Sequence, residues 1–174
     1  MRRILAALLL ATPLAWAHGP TRQKVTETIT INATPEAVWA VVKDFDKLHT
    51  WHPAVERSSA TQGNEVDSER TLVLKGGGTV VEKLESWSEA DRKFSYRMRE
   101  AGPIPVSNYS STLAVKPGSG AGTTVVEWRG AFYRGYPNND PPPDKNDEAA
   151  VAAVSGIYKA GLAHLKELVE KKPQ

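Results

Sequence analysis

Between Asp147 and Glu170, residues Val151, Val154, Tyr158, Leu162, Leu165 and Val169 recur three and four apart, the spacing that stacks side chains on one face of an α-helix. Lys159, Lys166, Glu167 and Glu170 fall mostly off that stripe, and Lys171 and Lys172 follow at the end where cations suit the helix dipole. A helix with such a stripe needs a surface to lie on. The chain before it supplies one, as a series of short runs with period-two alternation, the pattern of half-buried antiparallel strands.

Val25 to Ile31, rich in β-branched residues, reads as the first strand. Thr34 is then a good N-cap with Pro35 at the first helical position, and Val38, Trp39, Val41, Val42 and Phe45 supply the buried face of a short helix. A second helical turn is expected over Asp46 to Trp51, ending at His52 because the residue before Pro53 is driven out of the α region. Six more strands are predicted near Val55 to Thr61, Ser68 to Lys75, Thr79 to Ser88, Lys93 to Glu100, Pro105 to Pro117 and Gly122 to Tyr136. Turn-forming stretches such as Gly76-Gly77-Gly78 and Gly102-Pro103 separate them. The order gives an α+β fold in which a bent antiparallel meander closes on the last helix.

Arg2 and Arg3 precede the apolar run Ile4 to Leu10, and Ala15-Trp16-Ala17 offers small residues where a signal peptidase reads. Residues 1–17 are therefore expected to be a secretory leader cleaved after Ala17, with 18–23 a lead-in and 24–171 one domain exported to the periplasm. Thr12 and Pro13 interrupt a run already too short to span a membrane, and no later segment is long and apolar enough. Losing Arg2 and Arg3 brings the 22 basic residues level with the 20 acidic ones, so the mature chain is formally neutral. No basic block interleaved with aromatics points to nucleic acid. The absence of cysteine excludes disulfides, thiol catalysis, thiolate metal sites and covalent c-type haem.

Strand parity assigns an interior. Phe94, Tyr96 and Met98 share one face, as do Tyr109, Leu113 and Val115, and Val126, Trp128 and Phe132, with Tyr158 and Leu162 closing the far wall from the helix. Such residues either line a cavity for an apolar or aromatic ligand or pack into a solid core, and both arrangements stay open. Glu82 shares a face with Val80 and Leu84. Pointing inward, it needs a partner such as Arg or Tyr, or a raised pKa suited to proton transfer; the simpler expectation is a solvated position near the rim. Glu127 and Arg129, opposite the Trp128 face, are expected to pair on the surface. His49 and His52 are three apart and could offer two imidazoles to a metal, although Pro53 makes a poor platform. His18, as a new N-terminus, could chelate copper through its amine and ring, and His164 reads as a helix-surface or boundary residue. The stretch Arg134 to Asn146 contains Pro141-Pro142-Pro143, which favours an extended, exposed loop serving as a spacer, a cavity lip or a docking segment.

The element order resembles the START-like superfamily, also called SRPBCC, which includes polyketide cyclase/dehydrase-like and Bet v 1-like proteins. The residues that carry it are Thr34-Pro35-Glu36-Ala37-Val38-Trp39 and Asp44-Phe45-Asp46-Lys47-Leu48 running to Trp51-His52-Pro53. It implies a helix-grip fold, a seven-stranded sheet wrapped around the C-terminal helix with a cavity between them. The leader, His18-Gly19-Pro20, the Gly-rich turn before Thr79, the Tyr136 to Pro143 loop and Gly156-Ile157-Tyr158 leading to Gly161-Leu162 resemble the MxaD-type exported proteins. That narrower resemblance implies a non-enzymatic accessory role, without a cofactor, in electron transfer between a quinoprotein methanol dehydrogenase and its cytochrome c. Docking would then use the Trp51-His52-Pro53 lip or the loop with Tyr133, Tyr136 and Asp140. Two other functions fit the residues: a carrier or sensor of a small hydrophobic ligand such as a lipid, and a cyclase- or hydratase-like enzyme using Glu82.

Overall fold

The structure is a computed structural model that describes residues 19–171; the leader, His18 and Lys172 lie outside the described residues. The chain runs β1 (Gln23–Ile31), α1 (Pro35–Val42), a 3-10 turn (Phe45–Thr50), β2 (Val55–Ala60), β3 (Glu69–Leu74), β4 (Thr79–Ser88), β5 (Lys93–Glu100), β6 (Val106–Pro117), β7 (Thr124–Arg134), a short 3-10 turn (Pro143–Lys145) and α2 (Asp147–Glu170). All seven strands form one antiparallel sheet in the order β1-β7-β6-β5-β4-β3-β2, so β1 closes the meander by pairing with β7. This is the helix-grip fold, with α2 held in the concave face of the sheet.

The local signals act as their chemistry requires. Thr34 caps α1 by accepting the Ala37 N–H at 3.3 Å, and Asn146 caps α2 by accepting that of Ala149 at 2.8 Å. Register shifts in β4 near Val81 and Ser86, and in β6 between Ser107 and Ser110, bend the sheet around the helix; Asn108 takes a positive φ of 47° in the second. Several strand ends differ from expectation. The last strand stops at Arg134 rather than Tyr136, because the Arg134 side chain turns the following backbone back onto itself.

Along α2 the fully buried positions are Ala150, Val154, Tyr158, Gly161, Leu162 and Leu165, while Val151 and Val169 are half-buried. Gly161 is among them because His52 and Trp128 approach the helix backbone closely there. Glu127 does not pair with Arg129; it meets Lys116 from β6 at 3.1 Å, since cross-strand neighbours on one sheet face lie nearer than i, i+2 neighbours on a twisted strand. No helix among the described residues is long and apolar enough to cross a membrane.

Candidate functional site

The interior is solid in part and hollow in part. Leu84, Phe94, Leu113, Phe132 and Leu162 are buried in the packed core. Val80, Tyr96, Met98, Tyr109, Trp128 and Tyr158 instead border a cavity of about 90 Å³, joined by Glu82 and His52. Its mouth lies among Ala54, Leu74, Met98, Ile104 and Ile157, each partly exposed, where α2 faces the loops at one end of the sheet. Cavity and solid core, open alternatives from the sequence, thus coexist side by side in one interior.

Glu82 is 4% exposed, contrary to the solvated rim position expected for it. Arg70 stands directly opposite it on β3, and its Nε and Nη2 donate to Glu82 Oε2 at 3.0 and 2.5 Å. The guanidinium also donates from Nη1 to the Phe45 carbonyl at 2.9 Å and lies 4.0 Å from the Phe45 ring centre and 5.1 Å from that of Tyr96. Hydrogen bonds, opposite charge and aromatic faces together offset the desolvation of both ions. Arg70 shares its strand face with Leu72, so an inward Arg opposite an inward Glu was legible from strand register had β3 and β4 been aligned.

Three tyrosines, a serine and a tryptophan form one network beside that pair. Ser111 Oγ donates to the Arg129 carbonyl at 2.8 Å, so it accepts from Tyr158 at 2.9 Å and from the Trp128 indole at 3.1 Å. Tyr158, its proton committed to Ser111, accepts from Tyr109. The Trp128 N–H is shared with the Tyr96 hydroxyl at 3.0 Å, and the Trp128 and Tyr158 rings stack with centroids 4.5 Å apart. Gly130 makes this possible, since a Cβ there would collide with the Tyr158 hydroxyl. Burial pushes the Tyr96 phenol up to about 12, with the Glu82 charge adding to it, and holds Tyr109 and Tyr158 well above 10. At neutral pH the three are hydrogen-bond donors, not bases.

His52 is 3% exposed and its partners fix its tautomer. Nδ1 accepts the Ala54 N–H at 3.2 Å, so the proton sits on Nε2 and is donated to the Ile157 carbonyl of α2 at 3.0 Å. Burial lowers its pKa, and the charges of Arg70 and His164 act in the same direction against the Ile157 hydrogen bond. His164 Nδ1 in turn meets the Trp51 carbonyl at 2.9 Å, so two histidines tie the Trp51-His52 corner to α2.

That corner is not the exposed lip expected of it: Trp51 is 1% exposed and packs on Trp128. Its apolar ring and the His52 hydrogen bond to α2 draw both residues into the core. Nor do His49 and His52 converge. His49 Nδ1 pairs with Ser58 Oγ at 2.7 Å, away from His52, and no group of three or more potential ligands that could hold a metal occurs among the described residues. Tyr133 is half-buried and belongs to β7, not to the loop; on the loop itself Tyr136 is half-buried and Asp140 exposed, and the backbone is less extended than its prolines imply. Buried Arg134 gathers it, donating to the carbonyls of Tyr136 at 3.0 Å and Asn138 at 2.9 Å and to Asp147 at 3.2 Å. Nothing in the sequence marks Arg134 out, because a strand-end arginine looks like any solvated charge.

Residues 22–170 match the family described as polyketide cyclase/dehydrase and lipid transport. The chain belongs to that family. Its members' fold recurs among solved structures. The XoxI protein of Bacillus cereus is 32% identical, with a TM-score of 0.73 over 85% of this chain and 96% of that one. The ZhuI aromatase/cyclase of Streptomyces sp. R1128 is 18% identical, with a TM-score of 0.66 over 87% and 95%. Norcoclaurine synthase of Thalictrum flavum is 14% identical, with a TM-score of 0.64 over 99% and 100%. The last two share the fold alone. The polyketide cyclase/dehydrase fold supports a ligand-binding or cyclase-like role for the cavity.

Proposed function

We propose that this member of the polyketide cyclase/dehydrase and lipid transport family binds a small, largely apolar ligand in the cavity between α2 and the sheet. The observation that carries the reading is the wall itself: aromatic and aliphatic side chains interrupted by a few fixed polar groups, as small-molecule sites are built. A binding role is favoured over catalysis because the one carboxylate on that wall is tied to Arg70 and the neighbouring phenols hold their protons. Native mass spectrometry of protein from its own host tests this. A bound species that is lost on Trp128→Ala, while the fold persists, supports it; a clean apo mass after gentle preparation counts against it. A cyclase- or hydratase-like activity remains the enzymatic form of the same proposal, and a Glu82→Gln protein with full turnover would remove Glu82 from it.

The loop from Gly135 to Asn146 favours a second reading. Arg134 holds it in one shape and leaves Asn138, Asn139 and Asp140 exposed, as a docking segment requires. We propose on that basis the accessory role implied by the MxaD resemblance, in which the chain is exported and assists electron transfer from methanol dehydrogenase to its cytochrome c. The rate of that transfer, with and without the protein beginning at His18, decides it. An increase that saturates supports the role; no change well above the enzyme concentrations removes it.

A further inference from the structure

Hydrogen-bond accounting on the cavity wall leaves one donor and one acceptor over. Tyr96 receives the Trp128 indole N–H, while its own O–H makes no well-formed hydrogen bond among the described residues, the Ser111 and Tyr109 hydroxyls being near enough only to act weakly on it. Glu82 takes both Arg70 hydrogen bonds on Oε2, and Oε1 takes none from the described residues. Oε1 is also absent from the fully enclosed polar atoms without a partner, which are Trp39 Nε1 and Trp51 Nε1, so it keeps some access to open space. Tyr96 and Glu82 stand on adjacent strands, offset by one inward position, and border the same cavity. The other polar groups on that wall are already used. Tyr109 donates to Tyr158 and Tyr158 to Ser111, and both nitrogens of His52 have partners.

We propose that the cavity takes a small hydroxyl compound, whose oxygen accepts from Tyr96 and whose O–H donates to Glu82 Oε1. This rests on the ligand-binding reading above and names the class of ligand. A hydroxyl is the smallest group that carries donor and acceptor on one atom. A carboxylate would bring a second negative charge beside Glu82. A ketone answers Tyr96 and leaves Oε1 without a donor, an ammonium does the reverse, and a hydrocarbon answers neither. Sites built to hydrogen-bond a hydroxyl reject analogues lacking it, because their own polar groups are then left unpaired. Size agrees with this choice. An apolar cavity of about 150 Å³ holds benzene, so about 90 Å³ holds a hydroxyl head and a few carbons, with any longer tail leading past Met98 and Ile104 to the mouth.

The test is a titration of isotope-labelled protein with 1-butanol, 2-butanone, butyrate and butylammonium, following the indole N–H resonance of Trp128. We expect 1-butanol to shift that resonance saturably, at concentrations at least about tenfold below those of the other three. Tyr96→Phe keeps the ring and the Arg70–Glu82 pair, and should weaken butanol and butanone alike, by about fivefold or more, because both accept from Tyr96. Binding of butanone, butyrate or butylammonium as tight as that of butanol would overturn the hydroxyl assignment and leave the ligand-binding reading standing. No saturable shift from any of the four would overturn both. A butanol affinity unchanged by Tyr96→Phe would overturn Tyr96 as the donor.

Discussion

The imidazole of His52 lies against the backbone of Gly161 so closely that a Cβ there would stand 2.5 Å from His52 Cδ2 and 3.0 Å from Trp128 Cζ3. Gly161 is in the middle of α2, where glycine ordinarily costs about 1 kcal/mol relative to alanine. It is there for the close approach that lets His52 reach the Ile157 carbonyl.

Gly161→Ala should therefore destabilise the protein, by about 1–3 kcal/mol, because neither ring can move without disturbing the network behind it. Gly156→Ala, on the same helix with nothing near its added Cβ, should stabilise by about 0.5–1 kcal/mol. Urea unfolding of the two variants checks both signs. Equal effects in one direction would show that helix propensity, not the contact with His52, governs Gly161.

The Arg70–Glu82 pair gives a second expectation. Arg70→Met leaves a buried carboxylate without its cation and should cost about 3–5 kcal/mol. Arg70→Met with Glu82→Leu removes both charges from a site walled by Phe45, Leu72 and Tyr96, and should cost clearly less than Arg70→Met alone. Denaturant midpoints of the two variants test the coupling; a double variant as unstable as Arg70→Met would contradict it.

Much of this architecture is legible in the sequence. The stripe from Val154 to Leu165, the Thr34-Pro35 cap and the parity of Phe94, Tyr96 and Trp128 all follow from local periodicity, and the sheet and α2 form where those signals fall. The site was legible only in part. Glu82 drew notice because its parity pointed inward, but Arg70 lies 12 residues earlier and meets it only through the β3–β4 register. Trp51 and His52 misled, because a segment ending at proline resembles an exposed lip until α2 covers it. Whether an aromatic interior is solid or hollow depends on how far the sheet bends, and the bulges at Ser86 and Asn108 that bend it leave little trace in composition.

Burial makes His52 a source of acid sensitivity. The unfolded chain takes up this proton near pH 6.5, and the folded chain only below that. Between the two values the unfolded state binds more protons, so the contribution is intact above about pH 6.5 and is lost as pH falls toward the folded value. The urea midpoint should drop between pH 7.5 and pH 5.5, and the drop should shrink in His52→Gln. An unchanged slope in that variant would assign the sensitivity to other groups.

Arg134 governs the loop that follows it. Its guanidinium is 6% exposed at the side chain and reaches two loop carbonyls and Asp147 at the start of α2, while Asp147 also accepts from Thr21 in the lead-in. One planar fork thus ties the end of β7, the loop, the N-terminal turn of α2 and the segment before β1. A lysine cannot replace it, because a single ammonium on a flexible stem does not reproduce the spread of donors. Arg134→Lys and Arg134→Ala should both speed hydrogen exchange and proteolytic cleavage between Gly135 and Asn146, by about tenfold or more if one to two kcal/mol of local stability is lost. Exchange in β4 and β5, which Arg134 does not touch, should stay unchanged. Slowed exchange in the loop, or loss of protection across the whole sheet, would show that Arg134 supports the fold rather than holding the loop.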